Sequence, residues 1–228
     1  LNPEAVKFLD TYTADLIQEA SAATRAAVAQ VLSDGFSAGE SAAEMARDLK
    51  GIIGLSTTEE KALSNYRAAL ESGTSADLTN ALSRALRDGR YDRSLLNAIR
   101  DGKALGAEKI DKLVSRYQER MLDYRANATA RTESIRASNA GQRETWRQAK
   151  AQGLLGDDVE REWESSGDDR TCDECDGLDG ETAGLDEEFA PGIMQPPDPH
   201  DLCRCTTKLK FGKATARAES DEEDSEAA

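Results

Sequence analysis

Histidine is almost missing from this chain: its 228 residues contain one, His200. A peptidase built on His-Glu-x-x-His is therefore excluded, and a Ser-His-Asp triad or a histidine-based nuclease has only that residue to draw on. Aromatic residues make up 5% of the sequence, so the core must come from Leu, Ile and Val with close alanine contacts between helices rather than from stacked rings. No run of about 18 apolar residues occurs, which excludes a membrane-spanning helix and predicts no membrane partner. The opening residues lack the basic start and apolar stretch of a secretory signal, and a reducing cytoplasm is the expected site of synthesis. In that compartment the four cysteines are not expected to form disulfides.

Charge is plentiful but uneven. Residues 1–150 carry 22 Lys+Arg against 21 Asp+Glu, residues 151–228 carry 7 against 23, and the formal net charge of -15 therefore sits in the last third. An acidic C-terminal part repels nucleic acid at long range and argues against a zinc finger that reads DNA there. Residues 84–150 are the most basic stretch, with 16 basic against 9 acidic side chains. A solvated helix face explains such a surplus more readily than phosphate contact, which leaves DNA as a secondary partner.

Hydrophobic spacing predicts helices over most of the chain. One is expected from Pro3 to Gly35, with Val6, Leu9, Leu16, Ile17, Val28, Val31 and Leu32 on one face. Ser37 with Glu40, and Thr57 with Glu60, read as capping boxes that open helices ending at Gly51 and Gly73. Shorter helices follow, each closed by an Asp-Gly pair. From 106 to 153 there is no proline and one interior glycine, Gly141, and the stretch reads as a single long helix. Leu113, Val114, Tyr117, Met121, Tyr124, Ala128, Ile135 and Trp146 form its apolar stripe. Arg125, Arg136, Arg143 and Arg147 line the edge of that stripe as a candidate surface for DNA or another partner.

After Gly153 the helical period gives way to short alternating pieces separated by Gly and Asp, which read as small strands and turns. The chain closes on "ESDEEDSEAA", an acidic tail with nothing to bury and expected to be disordered. The expected fold is mainly α. An elongated helical N-terminal region covers 1–106, the long helix with a small zinc-stapled α+β module of short strands and loops covers 107–212, and the tail covers 213–228.

All the soft ligands fall in one window: Cys172, Cys175, His200, Cys203 and Cys205. Cys-x-x-Cys forms one chelating claw, and His-x-x-Cys with a further Cys two residues on forms another. A loop-rich module poor in apolar residues needs a staple, and structural Zn²⁺ supplies one. Four of the five donors suffice, and spacing leaves open whether Cys203 or Cys205 completes the set or both displace His200. Disulfides, or free thiols without a metal, are the alternatives. Catalytic zinc fits poorly, because a nucleobase deaminase places His-x-Glu ahead of its Pro-Cys-x-x-Cys. Here the histidine follows the pair and Thr171 precedes Cys172. No catalytic residues are expected.

"ARTESIRASNAGQ" (130–142), Trp163 ahead of "DDRTCDECDGLDG", and "PPDPHDLCRC" (196–205) together resemble the C-terminal domain of phage minor head proteins, the Mu protein F-like head morphogenesis family. The order of these motifs is that of the family, although Asp201 and Leu202 follow His200 where the family often has proline. The resemblance implies a virion assembly factor rather than an enzyme, acting at the portal vertex or inside the head after synthesis in the bacterial cytoplasm. It implies the portal protein as partner, with the major capsid or scaffolding protein as further candidates and no small-molecule substrate. Carried over by residue, it implies that Arg131, Thr132 and Glu133 lock the long helix to the module. It implies structural or contact roles for Trp163, Asp169, Arg170, Gly180 and Arg204.

Overall fold

The computed structural model describes residues 3–11 and 20–212, so the acidic tail, with Leu16 and Ile17 of the first predicted helix, lies outside the described residues. The helices are α1 (Pro3–Thr11), α2 (Ala22–Ala38), α3 (Ala42–Leu49), α4 (Thr57–Ser72), α5 (Ser75–Ser83), α6 (Asp92–Asp101), α7 (Ala107–Ala151) and α8 (Asp173–Leu178). The strands are β1 (Glu160–Glu164), β2 (Thr182–Gly184) and β3 (Thr206–Lys210). The fold is mainly helical with a small C-terminal antiparallel sheet. No helix among the described residues is long and apolar enough to cross a membrane. Among the described residues two compact units interleave along the sequence: one gathers 3–11, 29–42 and 128–212, the other 20–28 and 43–127. The division passes through α7.

In the unit that holds residues 43–127, the caps do what short helices need. Ser56 Oγ accepts from the Glu59 amide at 3.2 Å while the Glu59 carboxylate accepts from the Ser56 amide at 2.8 Å, closing a capping box. That box sits one residue earlier than the expected Thr57–Glu60 pair. Gly73 ends α4 with φ of 61° and Gly102 ends α6 with φ of 61°, a left-handed conformation that favours glycine. Asp88-Gly89 does not close a helix: α5 stops at Ser83, and Asp88 instead caps a short 3-10 turn over Gly89–Tyr91. Tyr66, Leu70, Leu78, Leu95, Leu113, Tyr117 and Met121 form the core, with the Tyr66 and Tyr117 rings 4.5 Å apart. Each such side chain contributes about 1.5–3 kcal/mol on burial.

Two helix boundaries differ from expectation. Residues 3–35 are not one helix, because Ala20 and Ser21 are non-helical and Ser21 Oγ accepts from the Thr24 amide at 3.1 Å as an N-cap. Gly35 does not end α2 either. The helix runs on to Ala38 and stops at Gly39, whose φ is 78°, with the Glu40 amide bonded back to Gly35 O at 2.9 Å. Ser37 is thus inside a helix and caps nothing.

The predicted stripe of α7 breaks after Met121, where Tyr124 is 53% exposed. In the unit that holds residues 128–212, the buried apolar positions of α7 are Ala130, Ala137 and Ala140, beside the buried polar Thr132, Glu133 and Asn139. Small side chains allow close approach, and Gly141 shows how close. A Cβ placed on it would lie 2.4 Å from the Ala5 amide nitrogen of α1, so only glycine fits this crossing.

The sheet has the order β2-β1-β3, both pairings antiparallel. Along β1 the side chains alternate, so Arg161 and Trp163 are buried while Glu160 and Glu164 are exposed. Lys208 and Lys210 of β3 meet Glu162 of β1 at 3.0 and 2.9 Å, which explains how so acidic a strand tolerates pairing.

Candidate metal centre

Cys172 caps the N-terminus of the single-turn helix α8, its sulfur accepting from the Cys175 amide at 3.4 Å. This turn brings the two sulfurs of the first claw to one side. The second claw follows a bend in which Leu202 adopts φ of 60°, the one left-handed non-glycine residue among those described. Its amide donates to Thr132 Oγ1 of α7 at 2.9 Å, which holds the bend in place.

All five candidate donors come together. His200 Nε2 lies 3.2 Å from Cys172 Sγ and 3.2 Å from Cys175 Sγ, and Cys175 Sγ lies 3.7 Å from Cys203 Sγ. Two overlapping triads result, Cys172–Cys175–His200 and Cys175–Cys203–Cys205, sharing Cys175. A tetrahedral ion with Zn–S bonds of about 2.3 Å sets sulfur–sulfur edges of about 3.8 Å, so the 3.7 Å spacing suits a shared ion and is far too long for a disulfide.

The tautomer of the histidine can be read from its partner. His200 Nδ1 lies 2.7 Å from Asp201 O, and because a carbonyl only accepts, Nδ1 carries the proton. Nε2 therefore turns a lone pair toward the sulfurs, the arrangement in which a histidine binds a metal with its other nitrogen fixed by the backbone. Burial, reinforced by neighbouring cysteines, pushes the Cys175 thiol well up, and burial also raises Cys203. Crowded buried sulfurs resist ionisation on their own, and a divalent cation removes that resistance. Four cysteine sulfurs and one imidazole nitrogen are the donor types that hold structural Zn²⁺, and the residues present fit such an ion.

The surroundings are tied to both claws. Arg204, between the two cysteines of the second claw, makes a two-pronged ion pair with Asp168, just ahead of the first. Arg204 holds the Asp168 carboxyl far below the usual carboxylate range, with a further contribution from Arg170. On α7, Glu133 approaches Arg136 at 3.6 Å, and Arg136 donates to Asp198 at 2.9 Å. The other oxygen of Asp198 accepts from the Met194 and Gln195 amides at 3.0 Å each. Asn139 Oδ1 accepts from Thr206 Oγ1 at 3.3 Å. Gly180 carries φ of 79° in the turn whose amide bonds to Trp163 O at 3.0 Å. Arg131 and Asp169 are exposed.

Sequence reasoning missed Arg161. It is fully buried, donates to Gly184 O, Glu187 O and Met194 O, and stacks on the Phe189 ring with its guanidinium carbon 4.8 Å from the centroid. Burial lowers it to about 10, so it remains a cation at neutral pH. Phe189 in turn meets the edge of Trp163 at 5.3 Å, and Trp163 packs with Cys175, Cys203 and Cys205. Arg161 thus organises the loop that covers the cluster. Its signal in the sequence was its place two residues before Trp163, on the same strand face.

Along the predicted arginine edge, three of the four cations meet carboxylates of this chain. Arg125 is bound to Glu59 at 3.1 Å, Arg136 to Asp198, and Arg147 to Asp186 and Glu144. Arg143 is half-buried, and burial followed by the nearby Arg147 lowers its pKa. Arg125, Arg136 and Arg147 are thus engaged by the protein's own carboxylates, while Arg143 has none in ion-pair range among the described residues.

A family model described as Phage Mu protein F like protein matches residues 76–208, from α5 through most of β3. No curated protein and no solved structure matches the chain.

Proposed function

The chain belongs to the phage Mu protein F-like family, and from that membership we propose that it is a head-morphogenesis protein of the virion whose metal-stapled module docks at the portal vertex or the inner capsid. In this reading it supports procapsid assembly and DNA delivery. The observation that carries it is the attachment of the clip to α7. Thr132, Arg136 and Asn139, spaced along one helix, each hold a different part of the loops that bear the donors. That arrangement suits a rigid surface offered to a partner. The donors close on one another rather than around a substrate position, which favours a structural ion over a catalytic one. The portal protein is the first partner in this proposal, and the major capsid or scaffolding protein the second.

The test is sedimentation of the zinc-loaded protein with assembled portal rings at low and high salt, beside a chelator-treated sample. Co-sedimentation that persists in high salt and disappears with the metal is expected. Failure of the loaded protein to bind portal or capsid shells would overturn docking, and binding indifferent to chelation would overturn the role given to the metal.

A further inference from the structure

The cysteine and histidine cluster holds one donor more than a tetrahedral ion takes. Its five donors fall into two triads, Cys172–Cys175–His200 and Cys175–Cys203–Cys205. In the first, His200 Nε2 lies 3.2 Å from both Cys172 Sγ and Cys175 Sγ. In the second, Cys175 Sγ lies 3.7 Å from Cys203 Sγ and also touches Cys205. Cys175 belongs to every arrangement, since both triads need it. Cys172 is tied to it by the single turn of α8, and Cys203 stands at a sulfur–sulfur edge suited to a shared ion. The remaining position falls to His200 or Cys205.

These two differ in setting. His200 is half-buried on a turn, its amide donating to Pro197 O at 3.1 Å and its Nδ1 to Asp201 O. Cys205 is buried, immediately precedes β3 and packs beside Trp163. They differ in charge as well. Imidazole is neutral, whereas a fourth thiolate brings one more negative charge into a buried cluster, where charge is costly unless paired. Arg204 carries a positive field to Cys205, but its guanidinium is already engaged by Asp168. The balance favours His200 in the resting set and leaves Cys205 beside the same ion position.

We propose that Cys205 is a reserve ligand that exchanges with His200, so that the cluster has two closed donor sets with Cys172, Cys175 and Cys203 in common. The resting set is three thiolates and one imidazole, and the alternative is four thiolates. In the exchange the Cys205 thiol yields its proton to solvent and coordinates, and His200 leaves as the neutral imidazole. The ion is kept throughout. What is freed is the loop between Asp198 and Leu202, which gives the proposed docking face two forms while the staple stays closed. The exchange acts as a switch within the metal-stapled module and so rests on that reading of it.

The experiment loads the full-length protein with Co²⁺ in place of zinc. Visible bands report tetrahedral cobalt, and near-ultraviolet sulfur-to-cobalt charge transfer grows with the number of thiolates. Zinc affinity is read beside them by chelator competition, and far-ultraviolet dichroism checks that each variant is folded. The wild type is expected to show three thiolates, and Cys205→Ser to leave that spectrum unchanged. His200→Ala is expected to keep the tetrahedral bands, to raise the charge transfer by about a third, and to hold zinc within about tenfold of wild type. His200→Asn, which keeps a donor for Asp201 O, should match it and so separates loss of the ligand from damage to the turn. A ligand lost without replacement removes about a quarter of the binding free energy of a four-ligand site. His200→Ala/Cys205→Ser and Cys175→Ser are therefore each expected to weaken zinc about 100-fold or more. His200→Ala and His200→Asn as weak as the double variant would overturn the reserve. A Cys205→Ser spectrum short of one thiolate would also overturn it, by placing Cys205 in the resting set. Absence of tetrahedral cobalt in the wild type would overturn the metal reading itself, together with the exchange built on it.

Discussion

Replacing Arg161 by leucine removes the donors for three backbone carbonyls, those of Gly184, Glu187 and Met194, without removing the carbonyls themselves. A buried acceptor stripped of its partner costs about 1–3 kcal/mol, and more when the lost donor was charged. Three acceptors and the lost stacking on Phe189, offset by water reaching the outermost carbonyl, amount to about 4 kcal/mol. That is a large part of the stability of any small domain. Arg161→Lys keeps the charge but brings one compact ammonium in place of a planar fork, and about half of the loss is expected to return. The assay is equilibrium urea unfolding of the zinc-loaded protein, followed by Trp163 fluorescence in a Trp146→Phe background. Because Trp163 is fully buried beside Phe189 and the cysteines, its emission reports this module. A change under about 1 kcal/mol for Arg161→Leu, or equal effects of Leu and Lys, would refute the argument that these three bonds hold the covering loop.

Other outcomes follow from the same contacts. Thr132→Val leaves the Leu202 amide without its acceptor and is expected to cost about 1–2 kcal/mol. It should also weaken zinc affinity in chelator competition, while Thr132→Ser restores both. Ser56→Ala removes one arm of the capping box of α4, and thermal unfolding is expected to show a loss of about 1 kcal/mol. Asp88 is pushed down to about 2, chiefly by hydrogen bonds from Arg90. Its folded pKa lies below the unfolded one, so its contribution is present above about pH 4 and is lost as pH falls toward 2. Asp88→Asn should therefore lose less stability than wild type across that window, with near-ultraviolet dichroism as the readout.

The clustering of the candidate ligands was legible in the sequence because soft ligands are rare and their spacing is constrained. Five donors in 34 residues of an otherwise Cys- and His-free chain leave little freedom in where they meet. Helix existence was legible for the same kind of reason, since apolar periodicity and terminal glycines act locally. The boundaries were less so. Ser56 rather than Thr57 caps α4, a choice between adjacent hydroxyl residues that local sequence hardly separates. The break in the α7 stripe after Met121 was not legible at all. Large side chains serve one compact unit up to that point and alanines serve the other beyond it, so the buried face changes where the neighbours change. Periodicity read along a helix assumes one set of neighbours.

The same limit explains the arginines. From the sequence, Arg125, Arg136, Arg143 and Arg147 look alike, since all four are basic positions at helical spacing along one edge. What separates them is the location of carboxylates distant in sequence, Glu59, Asp186 and Asp198. Asp186 and Asp198 of the acidic C-terminal part act as internal counter-ions for Arg147 and Arg136 of α7. Arg143 lies between them without a carboxylate in ion-pair range among the described residues, so its half-buried guanidinium feels Asp186 and Asp198 only at a distance, and burial lowers its pKa. A composition read as one acidic block thus resolves into individual carboxylates, and it is their positions that decide which cation is neutralised.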